Sequence, residues 1–307
     1  MKAVRVHAFG GVDAMVYEEL PSPAPGPGQV LIRVAAAGVG PWDAWIRQGK
    51  SVLPQPLPLT LGADLSGAIE QVGPGAAGFR LGEQVFGVTN ARFTGAYAQY
   101  ALAEAGMIAV KPARLTDIEA ASVPVVGCTA QQMLFDHAGV REGQTVVVLG
   151  GAGNVGGYAV QLAQRAGARV VANAPPRGID LLRSWGVDTI VAAGEPAPSH
   201  LAGQADVVID TVGGAALAEA FTWLRRGGAL VSAVAEPDQD AARLHGVRAQ
   251  FMLVAVNTAA LSRLAGLVDA GKLRARVGET LSLAEARLAH RMLEGGKGRP
   301  GKIVLVP

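Results

Sequence analysis

Residues 146–176 read VVVLGGAGNVGGYAVQLAQRAGARVVANAPP, and no other stretch constrains the fold as tightly. An apolar run leads straight into Gly151-Ala152-Gly153-Asn154-Val155-Gly156, then into a helix of small residues, then into a second apolar run. This is G-x-G-x-x-G between a strand and a helix, and Gly150, Gly153 and Gly156 also satisfy G-x-x-G-x-x-G. Each glycine has a physical reason to be there. One permits the tight turn, one lets a pyrophosphate approach the backbone, and one lets helix and strand close up. Free N–H groups and the positive helix end then face the phosphates. Glycine is common here, with 41 residues, so the motif alone is weak; its strand–loop–helix–strand setting makes it a dinucleotide site.

The rest of the chain sorts around that unit. Before Lys111-Pro112 the segments KAVRVHAF, QVLIRVAAAG, ADLSGAIEQVG, EQVFGV and AYAQYALA read as short strands split by Gly and Pro, a twisted, barrel-like β-region. PSPAPGPGQV is a turn. Thr116 and Glu119 have capping-box spacing, and a long helix is expected through VVGCTAQQMLFDHAG to Gly139. From Gly143 to about Val254, near-continuous apolar strands alternate with helices, which predicts a parallel sheet covered on both faces. Residues 257–271 and 282–293 are amphipathic helices, KIVLV is a closing strand, and the segment between Val191 and Asp206 is a Pro-interrupted loop where a helix is otherwise expected.

Bulk properties exclude several classes. No apolar run is long enough for a bilayer, and the N-terminus has no signal-peptide core. The net charge of +2 is spread without a basic stripe for nucleic acid. Lys297, Arg299 and Lys302 read as a small cluster on a solvated loop. A single cysteine, Cys128, fits a reducing, cytoplasmic setting and reads as a small buried hydrophobe.

The end of the second strand discriminates between cofactors. An NAD site places Asp or Glu there for the ribose 2′-OH. This chain has Asn173, Ala174, two prolines and Arg177, with no carboxylate before Asp180. Arg177 either pairs with a 2′-phosphate or merely opens the next helix; the missing carboxylate favours NADP(H).

Nearly the full length resembles the zinc-independent medium-chain dehydrogenase/reductases of the quinone oxidoreductase, zeta-crystallin-like type. The segments VLIRVAAAGVGPWDAWIRQG, LGADLSGAIEQVGPGAAGFRLGEQVFGV, TGAYAQYALA, LTDIEAASVPVVGCTAQQML, the glycine loop, DVVIDTVGG and the stretch from LVDAGKLRARVGE to the end carry it in the family order. The resemblance implies an α/β protein: a GroES-like β-rich catalytic domain from residues 1–122 and 258–307, and a Rossmann domain with a doubly wound parallel sheet from 123–257. It places an active site at their junction. It implies hydride transfer from NADPH to a quinone or α,β-unsaturated carbonyl, and a second reading is a non-catalytic NADPH-binding protein. It also carries over Pro41, Thr129, Thr211, Val212, Gly213, Ala233, Val234, Phe251, Met252 and Leu253 as cofactor contacts beside the loop residues, with Phe251 and Met252 equally readable as sheet core. A homodimer is expected if VRAQFMLV is an edge strand.

Zinc-dependent relatives place a Cys near Gly38–Gly40 and Gly-His-Glu where this chain has Gly62-Ala63-Asp64, and one cysteine cannot build a four-cysteine structural site. His7, His137, His200, His245 and His290 show no ligand spacing and read as surface or helix residues, so no metal is expected. The family's Asn-Pro and Tyr are Gly40, Pro41 and Trp45 here. Trp42 and Trp45 lie three residues apart, as an aromatic wall for a planar substrate or as core packing. Gly40, Trp42, Trp45 and Phe251 are thus the substrate-pocket candidates; Asp43 is expected to cap the turn, and Arg47 to pair with Asp64.

Overall fold

The computed structural model describes residues 1–307 except 188, 297 and 298. The chain divides into two compact units, one of Met1–Val125 with Val256–Pro307 and one of Val126–Ala255.

The first unit holds β1 (Lys2–Val6), β2 (Met15–Glu19), β3 (Gln29–Val39), α1 (Pro41–Arg47), β4 (Leu59–Thr60), β5 (Asp64–Val72), β6 (Gln84–Val88), β7 (Tyr100–Glu104), β8 (Ile108–Val110) and α2 (Asp117–Ala120). A three-stranded sheet runs β2-β1-β4. The eleven residues of β3 pair with both β5 and β7, which makes β3 the spine of the larger sheet. Its apolar positions join Val4, Leu61, Leu65, Tyr97 and Ile108 in one core. The Thr116–Glu119 capping box forms and starts α2.

The second unit opens within α3 (Pro124–Gln131) and continues with β9 (Thr145–Leu149), α4 (Asn154–Arg165), β10 (Arg169–Ala174), α5 (Pro176–Ser184), β11 (Thr189–Ala192), β12 (Ala205–Asp210), α6 (Gly214–Trp223), β13 (Leu224–Ser232), α7 (Gln239–His245) and β14 (Arg248–Phe251). Every pairing is parallel, in the order β11-β10-β9-β12-β13-β14. Counted from β9 this is 3-2-1-4-5-6, the dinucleotide-binding order. Val147, Leu149, Val171 and Val208 form its core with Phe221 and Trp223 of α6. The expected long helix instead ends at Gln131 and passes into π-geometry over Gln132–His137. Gln132 explains part of this turn: its side chain donates to Ala255 O at 2.6 Å and accepts from Ala255 N at 3.1 Å. Residues 193–204 contain no helix, as the prolines dictate. Only Arg248–Phe251 of VRAQFMLV is a strand, and it is the sheet's edge.

The chain then returns to the first unit with α8 (Thr258–Asp269), β15 (Val277–Ser282), α9 (Ala286–Gly295) and β16 (Lys302–Val306). The larger sheet follows β15-β16-β3-β5-β6-β8, with β7 on β3. The fold is thus a GroES-like β-rich unit plus a doubly wound parallel sheet.

Candidate nucleotide site and the α1 cluster

In a parallel sheet all carboxyl ends lie on one edge, and ligands bind there, where the strand order reverses. That point falls between β9 and β12. The loops leaving these two strands are in contact. Thr211 Oγ1 donates to Leu149 O at 2.8 Å, and a Cβ on Gly150, whose φ is +76°, would lie 2.6 Å from the same Oγ1. A Cβ on Gly151 would meet Ala172 at 2.9 Å, and one on Gly156 would overlap the Gly150 carbonyl. The turn is therefore closed to side chains at Gly150, Gly151 and Gly156.

The loop consumes two of its own N–H groups. Gly151 N donates to Asn173 O at 2.9 Å and Gly153 N to Gly150 O at 2.8 Å. Gly153 is the N-cap of α4, so Asn154, Val155 and Gly156 supply the first helical N–H groups, which precede any intrahelical acceptor. The N–H groups at the helix start, rather than those of Gly151 and Gly153, are thus the candidate anion donors.

The structure brings Gly150 to Gly156, Asn173, Arg177, Thr211 to Gly213, Ala233, Val234, Phe251, Met252 and Leu253 to this same edge or the turns leaving it. Their surroundings differ. Asn173 is buried and its amide donates to Ala192 O at 3.2 Å, tying β10 to β11. Arg177 is exposed at the start of α5. Met252 is buried, with its N–H on Ser232 O at 2.9 Å, and belongs to the sheet's packing. Val212, Val234 and Leu253, by contrast, follow β12, β13 and β14 with 50%, 39% and 62% of their surface exposed. Thr129 is buried on α3, away from the strand ends in sequence, and Cys128 beside it is fully buried.

Two residues that shape this edge are absent from the sequence-based expectations. Asp210, fully buried, accepts from Val212 N and Gly213 N, both at 3.0 Å, and from Ser232 Oγ at 2.7 Å. Ser232 Oγ in turn accepts from Val234 N at 3.1 Å and Ala235 N at 3.2 Å. One carboxylate and one hydroxyl therefore fix both loops. The chain does carry a signal for them: a single polar residue closes each of the apolar strands ADVVID and GGALVS.

In the first unit, Gly40 caps α1 and Pro41 occupies its first turn. Asp43 caps it as expected, its Oδ2 accepting from Gly40 N at 2.8 Å and from Tyr97 OH at 3.0 Å. Two other expectations fail. Arg47 does not pair with Asp64. It reaches Glu294 of α9, while Asp64 pairs with Lys302 at 2.7 Å and accepts from Val125 N at 2.9 Å. Lys302 is no solvated residue, for it is 1% exposed at the start of the interior strand β16; Lys297 lies outside the described residues, and Arg299 is exposed. His290 is on a helix but fully buried, edge-on to Tyr97. Trp42 and Trp45 part company: Trp45 is 47% exposed, while Trp42 is partly buried with the Lys302 ammonium 4.1 Å from its ring centre.

Burial governs the protons of this cluster. It pushes the Asp43 carboxyl up to about 7, against the Gly40 N–H and the Lys302 ammonium. It pushes His290 down to about 3, helped by the Arg47 charge. It also raises Asp64, opposed by Lys302, and Tyr97. The first two have opposite linkage. Asp43 favours the folded state below pH 3.8 and loses that contribution as pH rises towards 7; His290 contributes above pH 6.5 and loses its share as pH falls towards 3. Relative to wild type, His290→Gln is therefore expected to lose thermal stability steadily from about pH 3 to 6.5, and Asp43→Asn to gain it from about pH 4 to 7. Equal, flat profiles for both variants in thermal unfolding would refute the assignment.

Known proteins share this architecture. The family model for the alcohol dehydrogenase GroES-like domain matches residues 26–113, and that for zinc-binding dehydrogenase matches 185–305. The chain is 30% identical to 2-methylene-furan-3-one reductase of Solanum lycopersicum, over 100% of this chain and 79% of that protein. It belongs to the quinone oxidoreductase branch of the medium-chain dehydrogenase/reductases. The family's human quinone oxidoreductase is 37% identical over 57% of this chain, a match spanning 53%, about half, of that protein. The quinone oxidoreductase structure from Coxiella burnetii aligns over 100% of this chain and 99% of its own with a TM-score of 0.92 and 31% identity. A mycobacterial protein solved with NADPH aligns over the full length of both chains, with a TM-score of 0.88 and 27% identity.

Proposed function

We propose that this family member is an NADPH-dependent reductase that delivers a hydride to a quinone or an α,β-unsaturated carbonyl without a metal ion. The carrying observation is the carboxyl edge of the parallel sheet, where a side-chain-free turn and the start of α4 meet the loops fixed by Asp210 and Ser232. The tight glycine turn fits a pyrophosphate-binding loop: a Cβ at Gly150, Gly151 or Gly156 would collide with Thr211, Ala172 or the Gly150 carbonyl, so only glycine lets the loop close up against α4. Asn154, Val155 and Gly156 hold the phosphates through backbone N–H groups. Val212, Val234 and Leu253 give up exposed apolar surface to the cofactor's flat parts. The nicotinamide, when bound, supplies the hydride.

The second strand supports NADP over NAD. β10 ends without a carboxylate, and Arg177 stands exposed in the first turn of α5, where a guanidinium takes a phosphate bidentately. Arg177→Ala is expected to weaken NADPH about tenfold or more while changing NADH little, read by fluorescence titration of both nucleotides. Equal losses would contradict the assignment.

The donor set supports chemistry without a metal ion. Gly40 and Ala63 carry no ligand atoms, and the Asp64 carboxylate is committed to Lys302 and Val125 N. Among the described residues no group of three His, Cys, Asp or Glu side chains is placed to hold a metal ion. Pairing of the exposed edge β14 with a second copy makes the assembly a homodimer. Among the described residues no helix is long and apolar enough to cross a membrane. The second reading, a protein that binds NADPH without turnover, is separated from the first by acceptor-dependent NADPH oxidation.

A further inference from the structure

The carboxyl edge of the parallel sheet uses its backbone N–H groups in two opposite ways. At the start of α4, those of Asn154, Val155 and Gly156 precede any intrahelical acceptor. In the loops after β12 and β13 they are turned into the protein. Val212 N and Gly213 N donate to Asp210 Oδ1, both at 3.0 Å, and Val234 N and Ala235 N donate to Ser232 Oγ at 3.1 and 3.2 Å. Those bonds are local, but the one that joins the two loops is not. Ser232 Oγ donates to Asp210 Oδ2 at 2.7 Å across 22 residues, between two side chains with no exposed surface. The hydroxyl has then given its only proton and filled both lone pairs. The loops also touch on their outer side. A Cβ on Gly213, whose φ is +77°, would lie 2.8 Å from Val234 Cγ1, and a Cβ on Gly150 would lie 2.8 Å from Val212 Cγ2. The glycine turn, Val212, Gly213 and Val234 are thus continuous, and Val212 and Val234 keep 50% and 39% of their surface exposed.

We infer that Asp210 and Ser232 are positioning residues for the nicotinamide half of the cofactor, acting through Val212 and Val234, which their mutual hydrogen bond holds as one surface. This rests on the NADPH reading above. A doubly wound sheet consists of two mononucleotide-binding halves. Arg177, after β10, assigns the β9-β10-β11 half to the phosphorylated adenosine, which leaves β12 and β13 to the nicotinamide. A flat ring needs an apolar face more than it needs anion donors, and the inward-turned N–H groups leave it that face. A surface fixed in advance loses no freedom on binding, so cutting the link between the loops weakens the grip on the ring alone.

The test titrates the intact chain by calorimetry with NADPH and with 2′-phospho-ADP-ribose, which keeps every phosphate of NADPH and lacks only the nicotinamide. Asp210→Asn retains an oxygen for Val212 N and Gly213 N. It sets an amide donor against a hydroxyl oxygen that is already filled, so it cuts only the link. It is expected to weaken NADPH about five- to tenfold, the worth of one hydrogen bond, and to leave 2′-phospho-ADP-ribose within about twofold. Ser232→Ala should show the same selective loss. The double variant should bind no more weakly than Ser232→Ala, because the two residues form one link. Ser232→Thr keeps the hydroxyl and should restore the wild-type ratio of the two affinities. Val212→Ser changes a half-exposed side chain and leaves the buried pair intact, so it reads the same surface even where the buried variants do not fold; it too should weaken NADPH alone. Equal losses for the two ligands overturn the inference and leave the NADPH reading standing, as do additive losses in the double variant. A wild type that binds neither ligand overturns the NADPH reading itself.

Discussion

Lys302→Ala is expected to destabilise the first unit by about 3–5 kcal/mol, because it leaves a buried carboxylate without its partner. Lys302 and Asp64 are 1% and 0% exposed and 2.7 Å apart, so solvent cannot take over the role of either. The same substitution removes the cation beside Trp42. Urea unfolding by circular dichroism checks the value. The double variant Lys302→Met with Asp64→Leu removes both charges, and the cost of the single change should largely disappear, since an apolar pair of similar volume replaces a buried ion pair at little or no loss. A single variant as stable as wild type would mean that the pair is not buried as described.

The second large effect is expected at the nucleotide turn. Gly156→Val places two methyl groups where a Cβ alone already overlaps the Gly150 carbonyl. Backbone cannot yield there as a flexible side chain would, so the first turn of α4 must move away from the loop. Its N–H groups then lose their common aim. Loss of two or three hydrogen bonds to a charged phosphate corresponds to about a hundredfold or greater weakening of NADPH and NADH alike. Fluorescence titration should show both losses, unlike Arg177→Ala, whose effect is confined to the phosphorylated nucleotide. Near-normal affinity in Gly156→Val would remove the turn from the binding site.

Local pattern made the second unit legible. Apolar runs of strand length, a glycine turn and small-residue helices are short-range features, and the order 3-2-1-4-5-6 follows from how such units stack. The first unit's interior was harder to read, because its polar partners are far apart in the chain. Asp64 meets Lys302 across 238 positions and Arg47 meets Glu294 across 247, distances that no periodicity encodes. Read by charge alone, Lys302 joins the basic residues before it; read as the first position of KIVLV, an interior strand with four consecutive buried residues, it belongs inside. Gly40 shows the same limit. The sequence registers a missing side chain there, while in the folded chain Trp42 has taken the space. The π-turn after Gln131 was likewise illegible, since the Gln132 side chain within it bonds to the Ala255 backbone, 123 residues away.

The proposed reductase activity is tested most directly by NADPH consumption of the purified protein across a panel of quinones, enones and 2-alkenals, run beside NADH. At least one flat quinone or conjugated carbonyl is expected to accelerate NADPH oxidation, and NADH is expected to serve far less well. Tight NADPH binding with no acceptor accelerating its oxidation would contradict the proposal, and would make the protein a nucleotide-binding member of an enzyme family.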